Sequence, residues 1–410
     1  MKRIVAFFTE LPIFASVKFT KACQVLAWIF AIVAVSNVAG FITLPVGGIY
    51  IMLCGVCLIY ILVCGGLKFN GLYVIMYIAF GISALLASEP FFNSKIRYVL
   101  FLCVTLLCTP CISSSTAIAF RSLACRNILV LLTFLTIGSF IGYFFGINFT
   151  HVSQDALVVF SSSTNFGGLY AHSMLLGPLS TLVALVFLNV YMLYRKKLFI
   201  VLFFAAASAV VMSASRGATL ALVVPIAYLL FFMKDWRGGR KNLIGLLVMV
   251  SIIAVFVGDR FAVGLINKQQ NNVEAGGTFN SRESKWNNRL QEFEENPIWG
   301  IGFCAVDLQH YKDYNEAGGI EPGSTHLAIL SMTGLVGMML YLIVLFVAYK
   351  SVRKYESVVA KMRMCLFLAM ITHAIFEGYA LFAGGFLCFI YWLVIGQCED
   401  YKVMKKQNLL

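Results

Sequence analysis

Continuous apolar runs, several of them near the ~20 residues needed to cross a bilayer, constrain this chain more than any motif in it. They follow one another from about residue 22 to residue 396, joined by short basic connectors. A soluble protein of 410 residues could bury a large core, but it would not thin its charged residues to 12% while 60% are hydrophobic. In hydrocarbon, backbone groups must be satisfied within the protein, which leaves helices or a closed barrel. The runs are continuous rather than alternating, and that excludes the barrel. The expected fold is all-α, a polytopic membrane protein with about 12 transmembrane helices and one large outer loop.

The spans are placed at residues 22–44, 47–66, 71–88, 98–114, 128–147, 171–194, 198–213, 217–233, 243–258, 327–349, 364–373 and 379–396. This divides the chain into residues 1–258 with nine helices, a loop over 259–323, and residues 324–410 with three helices and a tail. Lys and Arg concentrate on one side: 22 of the 31 fall in the presumed inner segments, which sets both termini inside. The positive net charge thus reflects topology, not binding to nucleic acid. The basic segment 1–21 runs into a long first span without an evident cleavage site, so an uncleaved first helix is expected.

Of the 12 cysteines only Cys304 falls on the outer side, so no outer disulfide framework is expected. Cys54 and Cys57, like Cys108 and Cys111, have metal-like spacing but lie in apolar runs without histidine partners, and they read as packed thiols. A transporter of polysaccharide or lipid-linked sugar is the rival class. It is disfavoured because the halves do not repeat and the spans hold almost no charge, Glu377 at the outer mouth being the nearest to a buried acid. Nucleotide-cradling, zinc-hydrolase and serine-hydrolase signatures are all absent from the sequence.

The loop 259–323 gathers most of the acids, many aromatics, and cations on the side where cations are disfavoured. Asn280 and Glu283 suggest a capping box opening a helix. Trp286, Leu290 and Phe293 would form its apolar stripe, with Arg282, Lys285 and Arg289 on another face and Asn296-Pro297 ending it. A second outer loop, 148–170, is polar and free of Lys and Arg. Arg216 stands in the turn Ser213-Ala214-Ser215-Arg216-Gly217, flanked by hydroxyls and followed by a glycine that permits close approach. Arginine suits bidentate phosphate recognition, while an anchoring role at the membrane edge is the alternative. Arg282 reads either as a cation beside helix N-terminal amides or as a partner for a nearby glutamate. His326, at the outer start of a span, is a candidate general base or a plain interfacial residue; His172 has the same ambiguity in weaker context.

Taken together, these motifs resemble the superfamily of O-antigen ligases and O-antigen polymerases, bacterial inner-membrane glycosyltransferases. The resemblance rests on the architecture and on four local matches in order: the turn 213–217; Arg282 with Trp286; Asn296-Pro297-Ile298-Trp299-Gly300-Ile301-Gly302; and His326-Leu327-Ala328-Ile329-Leu330 with Gly334-Leu335-Val336-Gly337. It implies an undecaprenyl-diphosphate-linked oligosaccharide donor, an acceptor hydroxyl, a periplasmic site, and no metal or cofactor. Arg216 and Arg282 would hold the diphosphate, with Ser213, Ser215, Lys285, Arg289, Trp286 and His172 lining the substrate, and His326 would activate or position the acceptor. Membrane lipid, a chain-length regulator and a flippase are the implied partners. His326 stands closer to Gly334 than the family's histidine commonly does and is followed by Leu327, which departs from the ligase pattern and favours the polymerase branch.

Overall fold

The computed structural model describes residues 20–42, 46–87, 93–149, 166–232, 283–307 and 323–406. Among the described residues there are twelve helices. They are α1 (Lys21–Ser36), α2 (Val46–Gly65), α3 (Gly71–Leu86), α4 (Ser94–Cys108), α5 (Ser115–Phe144) and α6 (Ser173–Tyr194). The rest are α7 (Lys197–Met212), α8 (Arg216–Phe232), α9 (Glu283–Glu295), α10 (Thr325–Arg353), α11 (Val358–Ala374) and α12 (Phe386–Lys406). The only strand-like features among them are two isolated bridges. The span expected at 243–258, the loop residues 259–282 that include Arg282, and 308–322 lie outside the described residues.

Several helices start where a short polar side chain can take up an orphan amide of the first turn. Thr20 accepts from the Cys23 N–H, Asn70 from Leu72, Ser114 from Ala117, Ser324 from Leu327 and Ser357 from Ala360. Residues 47–65 and helices α5, α6 and α10 are each long and apolar enough to cross a membrane, and α1, α3, α7 and α8 are shorter apolar helices. Their exposed faces are as apolar as the buried ones: Met52, Ile59, Val63, Leu85 and Phe144 are each more than 60% exposed. Helices that are hydrophobic all round belong in lipid, and the chain is an all-helical polytopic membrane protein.

Helix α12 touches α4, α5, α10 and α11 and buries Phe389, Tyr391, Trp392 and Ile395 completely. It starts later than the expected span 379–396, because residues 377–385 form an irregular connector that includes Gly384 and Gly385, and it runs on to Lys406. Helix α11 likewise exceeds the expected 364–373.

The largest departure is α5, which starts at Ser115 where a span from 128 was expected, and so takes in Arg121, read from the sequence as part of a solvated connector. The reason is Asp400. Arg121 is fully buried and grips that carboxylate with two bonds, Nε to Oδ2 at 2.7 Å and Nη2 to Oδ1 at 2.8 Å. Its Nη1 donates to the Thr109 and Ile112 carbonyls, each at 2.9 Å. Tyr73 caps the neighbouring Glu399 at 2.5 Å. Helix ends that looked merely basic are therefore stitched by a planar fork that lysine could not copy. Removing one partner strands a buried charge, so Arg121→Ala should cost about 3–5 kcal/mol. The check is the thermal midpoint of the detergent-solubilised protein; an unchanged midpoint would sink this assignment.

Helix α10 is broken. Gly334 adopts φ 65° and ψ −168°, a conformation open essentially to glycine alone. The break removes the helical bonds that Leu335 and Val336 would make back to Ser331 and Met332. The segment 297–302 fills the gap with its own backbone. Leu335 N–H donates to Pro297 O (2.8 Å) and Val336 N–H to Ile298 O (3.3 Å), while Ile301 N–H donates to Ser331 O (2.9 Å) and Gly302 N–H to Met332 O (3.2 Å). Irregular backbone at membrane depth is tolerated where protein covers it and each polar group finds a partner. The following residues, Phe303 to Val306, are fully buried, with Phe303 among Phe80, Tyr98 and Phe101. Cys304 is fully buried and donates its thiol to Leu381 O at 3.3 Å.

Candidate functional site at the α8 and α10 N-termini

The turn between α7 and α8 is tight, with Ala214 at φ 51°. Its hydroxyls serve the backbone. Ser213 donates to Val210 O at 2.6 Å, and Ser215 accepts the Ala218 N–H at 3.3 Å as the cap of α8. Ser213 is buried, so it shapes the turn from beneath and does not face a substrate from above. Arg216 is the first residue of α8 and is exposed, with no hydrogen-bond or ion-pair partner among the described residues. A cation at a helix N-terminus works against the macrodipole. A guanidinium beside first-turn amides is suited to an anion.

Gly217 packs on Phe376, whose side chain would lie 3.2 Å from any Cβ placed there. Phe376 opens the α11–α12 connector and faces Trp286 of α9, ring centroids 6.4 Å apart. Trp286 is fixed by its Nε1–H, which donates to Gly323 O at 3.2 Å. The next residues cap α10, and Thr325 ties that helix end to the same connector: its N–H and Oγ1 donate to Glu377 O at 3.0 and 2.7 Å, and Oγ1 accepts from Tyr379 N–H at 3.1 Å. Arg216, Trp286 and the Ser324–His326 stretch, far apart in sequence, thus converge around Phe376 and Glu377. Sequence reasoning passed over Phe376; the one available signal was the isolated acid beside it.

The loop helix differs from expectation on its inner face. Leu290 is 41% exposed, whereas Arg289 and Glu292 are 1% and 0% exposed. They pair at 2.8 Å; Arg289 also reaches Ser331 Oγ at 3.3 Å, and Glu292 accepts the Asp307 N–H at 3.1 Å. Arg289 is therefore a bolt between α9, α10 and the segment after it, in place of the substrate-lining cation expected. Lys285 is half-buried and sits over Gly323. His172 is buried at the cap of α6 and accepts the Met174 N–H on Nδ1 at 3.1 Å, which accounts for it structurally.

His326 is carried into the bundle. Its Nδ1 lies 3.0 Å from the Tyr341 hydroxyl, although the two are 15 residues apart in one helix. In a straight helix they would stand about 22 Å apart along the axis. The Gly334 break folds the first segment of α10 back and makes the contact possible. Tyr341 in turn hydrogen-bonds Tyr391 of α12, and His326 Nε2 faces Ile371 O of α11 at 3.4 Å. Both tyrosines are fully buried. Among the described residues no group of three or more His, Cys, Asp or Glu could hold a metal ion.

The site thus offers an exposed guanidinium on a helix N-terminus, two half-buried aromatic rings, and a histidine held in an internal hydrogen-bond chain. No curated protein matches this chain. Residues 198–342 match the family model described as O-antigen ligase, an interval that runs from α7 into α10 and contains Arg216, Trp286, His326, Gly334 and Tyr341. Over this segment the chain is similar to the O-antigen ligase family.

Proposed function

We propose that this protein polymerises oligosaccharide repeat units, transferring them from an undecaprenyl-diphosphate-linked donor at the periplasmic face of the bacterial inner membrane. The observation that carries the reading is the exposed Arg216 at the α8 N-terminus, which has no acidic partner among the described residues. A departing diphosphate supplies that charge, and a fixed cation with oriented amides is the arrangement that stabilises a leaving anion most. Arg282 joins it from the loop in this reading. Trp286 and Phe376 offer apolar ring faces for a sugar, and His326 serves the acceptor hydroxyl.

Transfer of finished polysaccharide to lipid A-core is the second reading, favoured by the description of the matching family model. Deleting the gene and resolving the cell's lipopolysaccharide on a gel separates the two. Loss of a polymerase leaves core bearing a single repeat unit. Loss of a ligase leaves bare core while polymer accumulates on its carrier. Bare core without that polymer would point to export of the lipid-linked unit, and an unchanged ladder would refute the lipopolysaccharide role.

A further inference from the structure

Arg363 is a buried cation that the fold does not pair with an acid. It stands in the second turn of α11, toward the opposite end of that helix from Phe376, and is 3% exposed. Its Nη2 donates to Gln397 Oε1 of α12 at 3.3 Å, and its guanidinium carbon lies 4.9 Å from the centroid of the Tyr401 ring. Its Nη1 has no hydrogen-bond partner among the described residues, and neither has Nε2 of Gln397, a side chain equally buried. The acids at this end of the bundle are engaged elsewhere. Asp400 gives both oxygens to Arg121, Glu399 is held by Tyr73, and Glu356 meets Lys361 at 3.1 Å. A charge withdrawn from water persists only where an opposite charge or a full set of hydrogen bonds offsets the loss, and an ionisable group inside a membrane protein marks a site by default.

Arg363 and Gln397 line one small cavity together with Cys125 of α5, Met362 and Leu366 of α11 and Val394 of α12. Its volume is about 10 Å³, room for one particle near the size of a water molecule. The lining selects that particle. Both unpartnered nitrogens are donors, and the Cys125 thiol is a donor as well. A water would accept from them, but its own protons would meet only aliphatic carbon and the weak sulfur acceptors of Met362 and Cys125. A monatomic anion accepts from all three, has no proton to place, and supplies the charge that Arg363 lacks. Phosphate and sulfate are too large for the space.

We infer that this junction of α5, α11 and α12 is a binding site for a single chloride ion, held by Arg363 Nη1, Gln397 Nε2 and the Cys125 thiol. Chloride is somewhat larger than water, and the flexible side chain of Met362 makes the room. The ion neutralises the guanidinium and ties three helices at one point. The site stands apart from Arg216 and does not depend on the glycosyl-transfer reading.

The test melts the full-length protein in detergent, in sodium chloride and in sodium gluconate at equal ionic strength; the gluconate anion cannot enter so small a cavity. The thermal midpoint should rise with chloride and saturate, as linkage requires of a ligand of the folded state, and bromide should replace chloride. Arg363→Met keeps the length of the side chain without its charge, a change that buried sites tolerate, and should lose the chloride response. Gln397→Glu places a carboxylate beside the guanidinium. It should lose the response too, while its midpoint in gluconate rises toward that of the wild type in chloride. Equal wild-type midpoints in the two salts would mean that the cavity holds water alone, and would overturn the inference. A chloride response that survives in both variants puts the ion elsewhere and overturns it as well. Should either variant not fold, anomalous bromide density beside Arg363 in crystals of the wild type decides without it: no peak at saturating bromide refutes the site.

Discussion

Replacing Arg216 by Ala should reduce sugar transfer by about 100- to 1,000-fold, the range seen when one preorganised donor to a developing anion is removed. The protein itself should be little affected. Arg216 is exposed, has no partner among the described residues and opposes the α8 dipole, so its removal relieves a small strain instead of creating one. Arg216→Lys keeps the charge but not the planar fork, and should fall between wild type and Ala. The measurement is chain extension in cells carrying each variant, with membrane levels of the protein followed in parallel. Full extension by Arg216→Ala at normal expression would remove the diphosphate site from this turn.

The second large effect is expected at Gly334. A Cβ there would strike the carbonyl carbon and oxygen of Ile298 and the amide of Trp299, and the backbone conformation excludes ordinary side chains. Gly334→Ala must therefore expel the segment 297–302 from the break in α10 or abandon the break. Either leaves buried donors and acceptors without partners, at about 1–3 kcal/mol for each such group, and moves His326 away from Tyr341. A loss of several kcal/mol and of activity together is expected, read as a lowered thermal midpoint and a missing ladder. Gly384→Ala is the matched control, because a Cβ at that position meets nothing within 4 Å. Equal behaviour of the two variants would contradict this account.

Much of the scaffold was legible beforehand, and the reason is physical. Apolar length and the side on which Lys and Arg gather are one-dimensional properties, so α1, α2, α3, α6, α7 and α8 fall within a few residues of their expected positions, apart from a shorter C-terminal end of α1. The end of α9 at Glu295, just before Asn296-Pro297, was equally readable. Errors cluster where charge is internalised. Arg121 was read as part of an inner connector and Arg289 as a substrate-lining cation, because a sequence does not state which acid or hydroxyl will face a cation across the bundle. Two glycine-containing motifs, Asn296 to Gly302 and Gly334 to Gly337, looked like separate weak signals; they are two halves of one contact.

By itself the sequence determined the solvent of this protein and its class of fold, because hydrophobic length and charge sidedness act on each segment independently. It also marked Arg216, Trp286 and His326 as candidates, since each is an unusual residue for its place along the chain. Only the tertiary structure decided what they could do together. It packed Gly217, the neighbour of Arg216, and Trp286 against Phe376, paired Arg289 with Glu292 inside the bundle, and brought His326 onto Tyr341 through the break at Gly334. Those outcomes depend on pairings between helices distant in sequence and on one backbone angle that only glycine can hold, and neither is written in any single stretch of residues.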